Sequence, residues 1–274
     1  MALMLQAENL HYGYQPGQPV LRGVSLDMAA NSIVYLLGHN GSGKTTLLEV
    51  LSGVRQPQQG SVRLNGADLF RLPAAQRARR VGLVPQTHAP VFAYTVHDVV
   101  MMGRTPHLRL LATPDRHDRV IVDEALALVG LEDFRHRPYT ELSGGEQQLV
   151  LIARGIAQQT DVLLLDEPTA HLDPRNQQMV LETVAQLAAV RVAFVISSHN
   201  PTSALLYADQ VVVLKAGQVL ASGTPGEVLT EEMLSRSYDM PVEVLYNERQ
   251  VARAVVPRRV NGSDSKANGT GFSA

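Results

Sequence analysis

The sequence predicts an α/β fold: a mostly parallel sheet covered by helices. Three observations carry that prediction. Short continuous apolar runs recur along the chain, as in strands buried on both faces: Ile33 to Leu37, Val81 to Val84, Val162 to Leu165, Val192 to Ile196 and Val211 to Leu214. Segments of helical spacing stand between them. The first run ends in a glycine-rich turn that opens a helix. With 274 residues, 45 % of them hydrophobic, the chain can bury a sizeable core. Its 24 basic and 26 acidic residues nearly cancel, to a formal charge of −2, which argues against a nucleic-acid partner held by a basic field. No stretch approaches the ~18 consecutive apolar residues of a membrane span. The first residues lack the pattern of a secretory leader. The absence of Cys removes disulfides, zinc–thiolate sites and thiol nucleophiles together.

The elements follow in order. Leu3 to Leu10 and Val24 to Met28 alternate apolar and polar residues, as half-exposed strands do, around a turn-rich loop from Gln15 to Pro19. Thr45 to Leu51 reads as a helix, and Ser61 to Leu64 as a strand entering the tight Asn65-Gly66 turn. From 87 to about 158 the texture turns helical. Thr95 with Asp98 and Ser143 with Glu146 form capping boxes, and Val120 to Val129 has helical spacing. Asp173 caps a helix from Pro174 to Ala189. Lys215 to Gln218 reads as a hairpin turn, and Thr224 with Glu227 opens a further helix. Beyond Pro257 the composition predicts a disordered tail. His88, His97, His107 and His117 read as scattered surface histidines. Arg71, Arg77, Arg79 and Arg80 read as a solvated basic face.

Gly38-His39-Asn40-Gly41-Ser42-Gly43-Lys44-Thr45 matches G-x-x-x-x-G-K-[ST] between a buried strand and a helix. Glycines let successive backbone N–H groups converge on phosphate oxygens, and the helix N-terminus adds its positive dipole end. Lys44 is expected to reach the β and γ phosphates and Thr45 to offer its hydroxyl to Mg²⁺. The strand from Val162 to Leu165 leads into Asp166 and Glu167 at its C-terminal end, where ligands bind in open α/β sheets. Asp166 is the expected Mg²⁺ carboxylate. Glu167 is the expected base or water-orienting group for attack on the γ-phosphate.

Leu142-Ser143-Gly144-Gly145-Glu146-Gln147-Gln148 resembles the signature of ATP-binding cassette (ABC) proteins. The other family elements stand in order: Gln86 after a buried strand, the carboxylate pair, Ala170-His171-Leu172-Asp173, and Ser198-His199. The resemblance spans about residues 3–256. It implies a P-loop NTPase (RecA-like) core with an antiparallel β subdomain and a helical insertion. The implied divisions are 1–86 and 159–256 for the two parts of the ATP-binding core, 87–158 for the helical signature subdomain, and 257–274 for the tail. It also implies ATP and Mg²⁺ as cofactors, with Tyr14 on the adenine ring and Thr46 beside Thr45 at the nucleotide. Gln86 would sense Mg²⁺ and the attacking water, and His199 would hydrogen-bond the γ-phosphate. In a head-to-tail homodimer, Ser143, Gly144 and Gly145 would contact the γ-phosphate in trans, and Asp173 would reach across the interface. Asn200 departs from the Asp that many relatives carry there.

The single cassette resembles the detached ATP-hydrolysing subunit of a bacterial importer. The stretch from Thr95 to His107, with Gly103-Arg104-Thr105-Pro106-His107, resembles importers of iron–siderophore, haem and cobalamin. That resemblance implies two integral-membrane permease subunits, a solute-binding protein, and a peripheral place on the cytoplasmic face of the inner membrane. The expected cargo is a metal chelate, ferric siderophore first, with haem, cobalamin or molybdate as alternatives. A soluble ABC ATPase outside transport is the alternative of another class. Val91, Phe92 and Tyr94 are the expected lining of the permease groove.

Overall fold

The computed structural model describes residues 3–86, 93–109, 112–190, 192–249 and 251–258. Strands β1 (Leu3–Tyr12) and β2 (Leu21–Ala29) lead to β3 (Ile33–Leu37) and helix α1 (Lys44–Leu51). Then come β4 (Gln59–Leu64), β5 (Ala67–Asp68), α2 (Ala74–Ala78) and β6 (Val81–Val84). Three helices follow: α3 (Val96–Met101), α4 (Arg116–Leu128) and α5 (Gly144–Ala157). The chain returns through β7 (Val162–Asp166), α6 (Pro174–Val190), β8 (Ala193–Ser198) and α7 (Pro201–Tyr207). It ends with β9 (Gln210–Lys215), β10 (Gln218–Gly223), α8 (Pro225–Val228), α9 (Glu231–Tyr238), β11 (Val242–Tyr246) and β12 (Ala252–Pro257).

The central sheet has the order β10-β9-β3-β8-β7-β6, parallel except for the β9–β10 hairpin. All five apolar runs of the sequence are strands of it. Their alternate residues feed two cores, as the two-residue period of a strand requires. Tyr35, Leu37, Leu163, Leu165, Phe194 and Ile196 face the layer of α3 to α6. Val34, Leu36, Leu164, Val195 and Val212 face α1 and the second sheet. That second sheet, β2-β1-β4-β5, is antiparallel. Its half-exposed alternation is visible in β2, where every inward residue is apolar.

Local chemistry sets the boundaries. The capping boxes at Thr95, Ser143 and Thr224 are present. Asn65 and Gly66, with φ of 49° and 79°, make the β4–β5 turn. Three readings change. The helix expected from Val120 starts earlier, at Arg116, because Asp115 and Asp118 form a further capping box. The β11–β12 hairpin was not expected; Pro257 closes it opposite Val242, and Arg258 N–H donates to the Pro241 carbonyl. The arginines around α2 are not simply solvated: Arg77 donates to the Leu72 carbonyl, Arg79 to the Pro106 carbonyl, and Arg80 pairs with Asp161 at 2.7 Å. From 259 on, the expected tail lies outside the described residues.

Candidate functional site

The phosphate loop closes on itself between β3 and α1. A Cβ on Gly38 would stand 2.4 Å from the Leu214 carbonyl oxygen, and Gly43 adopts φ 105° as the residue before the helix. Only glycine fits both positions without strain. No side chain caps the first N–H groups of α1, beside the cleft that Gly43 to Thr46 line. The Lys44 side chain is 6 % exposed; its ammonium donates to the carbonyls of Gly38 (2.8 Å) and His39 (3.4 Å) and lies 3.4 Å from Glu167 Oε1.

The carboxylates arrive from the parallel neighbour strands. Thr45 Oγ1 donates to Asp166 Oδ2 at 2.8 Å, joining α1 to the end of β7. Asp166 stands opposite Ser197 of β8 in register, and the Ser197 hydroxyl donates to Asp166 Oδ1. Ser197 Oγ in turn accepts the Glu167 N–H at 2.9 Å. Glu167 itself turns through φ 45°, a conformation unfavourable for a residue with a side chain. That turn sets its carboxylate between Lys44 and His199, whose Nδ1 lies 3.2 Å from Oε2. Hydroxyl, carboxylate and the Gln86 amide form an all-oxygen donor set suited to Mg²⁺. No cluster of three His, Cys, Asp or Glu suited to a metal occurs among the described residues.

Two adjoining clefts open here. One, of about 460 Å³, is lined by Val20, Asn40, Lys44, Thr45, Thr46 and Gln86, with Glu167 at its end. The other, of about 370 Å³, shares Asn40, Gln86 and Glu167 and adds Thr169, His171 and His199. Asn200 N-caps α7 through its side chain, accepting from Thr202 N–H at 2.9 Å. Asp would cap equally well, so the departure from the family pattern preserves the local structure.

Tyr14 is half-exposed beside α1, its hydroxyl 3.0 Å from Thr46 Oγ1 and 3.1 Å from Glu49 Oε2. Tyr12 ends β1 and meets Tyr14 edge-on at 5.3 Å. Arg55 lies over the Tyr14 ring at 4.6 Å, engaging one of its two faces.

The Ser143 segment lines neither cleft of its own chain. Ser143 caps α5, and its hydroxyl and N–H hold the Glu146 carboxyl below the usual range. Gly145 packs so closely on α6 that a Cβ would stand 2.5 Å from Asn176 Cγ. Asp173 accepts the Asn176 N–H at 2.9 Å and the Asn176 side-chain amide at 2.9 Å. The Ser143 and Asp173 segments therefore form one surface, apart from the phosphate loop.

The sequence-predicted residues thus fall into two groups. Gly38 to Thr46, Gln86, Asp166, Glu167 and His199 converge, with Tyr14 at the edge; Ser143, Gly144, Gly145 and Asp173 gather elsewhere. Ser197, Asn176 and Tyr238 were missed. Tyr238, its phenol pushed above the ordinary range by burial, donates to the His199 carbonyl at 3.1 Å. Ser197 carries no local signal; only the pairing of β7 with β8 brings it to Asp166. Tyr238 carries no sequence signal linking it to His199. Of the expected groove residues, Tyr94 is 41 % exposed, and Val91 and Phe92 lie outside the described residues.

Residues 21–170 match the family described as ABC transporter. The hemin import ATP-binding protein HmuV of Rhodococcus jostii is 41 % identical over 243 residues, 89 % of this chain and 82 % of that protein. A cobalamin import ATP-binding protein BtuD of Halobacterium salinarum is 39 % identical over 242 residues, 88 % of this chain and 60 % of that protein. Among solved structures, a metal-chelate type ABC transporter in an inward-facing conformation superposes with a TM-score of 0.82. It is 33 % identical and covers 94 % of this chain and 98 % of its own.

Proposed function

The chain belongs to the ABC transporter family, and from that premise we propose that it powers uptake of a metal chelate, with haem the favoured cargo. As a member it binds ATP and hydrolyses it in an importer, working at the membrane with separate permease subunits. No helix among the described residues is long and apolar enough to cross a membrane. The observation that carries the catalytic reading is the gathering of Lys44, Asp166 and His199 around Glu167, which the two adjoining clefts share. The cargo reading rests on the similarity to hemin import ATP-binding proteins above all. Ferric siderophore, the first expectation from the sequence, has weaker support, because the relatives named above import hemin and cobalamin.

The residues divide the chemistry as follows. The N–H groups at the start of α1 and the Lys44 ammonium hold the β and γ phosphates. Thr45, Asp166 and Gln86 would hold Mg²⁺, which neutralises phosphate charge when bound. Glu167 orients the attacking water and accepts its proton; the His199 ring steadies that carboxylate and reaches the γ-phosphate. Tyr14 supports the adenine, and Ser197 keeps Asp166 and the Glu167 backbone aligned. A second copy, head to tail, closes the cleft with its Ser143, Gly144 and Gly145, and Asp173 crosses the interface. The separation of that surface from the chain's own cleft supports this arrangement. The divisions 1–86, 87–158 and 159–256 are the working units. The place is the cytoplasmic face of the cell membrane, with a solute-binding protein on the other side.

Capture from detergent-solubilised native membranes tests the role, with mass spectrometry reading the partner. A permease with many spans is expected; only soluble partners would overturn the importer reading. The assembled complex with its binding protein is then titrated with haem, a ferric siderophore and cobalamin. Stimulation of ATP hydrolysis by haem is expected, and stimulation by another chelate alone would reassign the cargo.

A further inference from the structure

Residues Gly103 to His107 lie away from both clefts, yet nearly every polar group in this turn is held. The turn, a tight helical stretch from Met102 to His107, lies across the C-terminal end of α5. Arg104 is 3 % exposed, a degree of burial rare for a charged side chain. Its Nε donates to Asp118 Oδ1 at 2.9 Å, and one terminal nitrogen donates to the Ala157 carbonyl (2.8 Å) and to Gln159 Oε1 (3.0 Å). Ala157 ends α5, so its carbonyl is among those a helix leaves without a partner. The His107 ring donates to the next carbonyl, Gln158, at 2.8 Å. Gly103 has no room for a side chain: a Cβ would stand 2.1 Å from the Arg154 carbonyl oxygen. Arg79 donates to the Pro106 carbonyl, and the Gln158 side chain donates to the Ala78 carbonyl, tying the junction to α2.

The turn therefore serves as the C-cap of the helix whose other end carries Ser143. We infer that Arg104 is a positioning residue: it fixes the C-terminal end of α5 and, through that stiff helix, aims Ser143 and Gly145 at a second copy. At about 1.5 Å per residue the 14 residues of α5 span roughly 21 Å, so a tilt at one end displaces the other. A buried ion pair is weak support for stability compared with packed apolar groups, but its hydrogen bonds fix direction, which apolar packing does not. This role rests on the head-to-tail dimer proposed above.

The test is ATP-driven dimerisation, read by sedimentation in a Glu167→Gln background that holds ATP. Into it are placed Arg104→Lys, and Arg104→Met together with Asp118→Asn, which removes both charges and keeps a side-chain acceptor for the Asp115 N–H. The double change is expected to keep cooperative unfolding and the monomer's affinity for a fluorescent ATP analogue, and to weaken dimerisation at least tenfold. Arg104→Lys, which keeps the charge but loses the fork, is expected to weaken it less. Dimerisation as strong as the parent's in a folded double variant would overturn the role of Arg104. If the double variant does not fold, parent-like dimerisation by Arg104→Lys would do so. If the parent does not dimerise with ATP at all, the sandwich reading falls, and this inference with it.

Discussion

Replacing Gly145 by Ala separates two adjacent glycines that look equivalent in sequence. At Gly145 an added Cβ stands 2.5 Å from Asn176 Cγ, 2.7 Å from Oδ1 and 2.8 Å from Cβ, so the Asn176 side chain must swing away and, because its Cβ is fixed to the backbone, α5 and α6 must also part slightly. That movement breaks the 2.9 Å bond from its amide to Asp173. A hydrogen bond to a charged group contributes about 1.5–3 kcal/mol, and at this exposed site the lower end applies. Replacing a helical Gly by Ala returns up to about 1 kcal/mol. The net cost is at least about 0.5 kcal/mol, before the shift between the two helices is counted. At Gly144 the nearest atom is Leu172 Cδ2 at 3.3 Å, the end of a flexible side chain, so the gain in helix propensity remains. Gly144→Ala should therefore exceed Gly145→Ala in stability by about 1.5 kcal/mol, more than a tenfold difference in the unfolding constant. Urea unfolding of both variants, with midpoint and slope fitted together, checks it. Equal midpoints, or Gly145→Ala as the more stable, would refute the packing of this segment on α6.

Thr45→Val removes the hydroxyl that donates to buried Asp166 and should cost about 1–3 kcal/mol, measured by thermal unfolding without nucleotide. Tyr238→Phe removes the bond to the His199 carbonyl and should lower kcat about three- to tenfold with KM unchanged, read in steady-state ATP hydrolysis. For Asp118, burial pushes the carboxyl upward, but hydrogen bonds from Arg104 and the Asp115 N–H outweigh it and hold it below the ordinary range. Its contribution is therefore complete above the unfolded value of about 3.9 and is lost as pH falls through the lower folded value. Urea midpoints between pH 3 and 7 should fall on the acid side in the wild type, and that fall should be shallower in Asp118→Asn.

What was legible in the sequence follows from how local each signal is. The five central strands were readable because residues such as Ile33 to Leu37 are buried on both faces and admit no polar member. Caps such as Ser143 with Glu146 were readable because both partners lie within one turn. The phosphate loop and Asp166 with Glu167 were readable because the chemistry demands those types at those spacings. Contacts across long separations were not readable. Ser197 reaches Asp166 because β7 and β8 are parallel neighbours, which neither strand encodes alone. Arg79 and His107 look like surface residues until the turn at Pro106 packs on α2 and α5. The β11–β12 hairpin escaped because β11 buries only Val242 and Val244, too short an alternation to stand out.

The central claim is that Glu167, set between Lys44 and His199, drives ATP hydrolysis at the cleft beside α1. The most direct measurement is phosphate release by the complex purified from membranes, with wild-type chain and with Glu167→Gln, alongside ATP binding by each. Removing a positioned proton acceptor typically costs ~100-fold or more, so hydrolysis should fall by at least that factor while ATP still binds. Equal hydrolysis by the two forms would contradict the account.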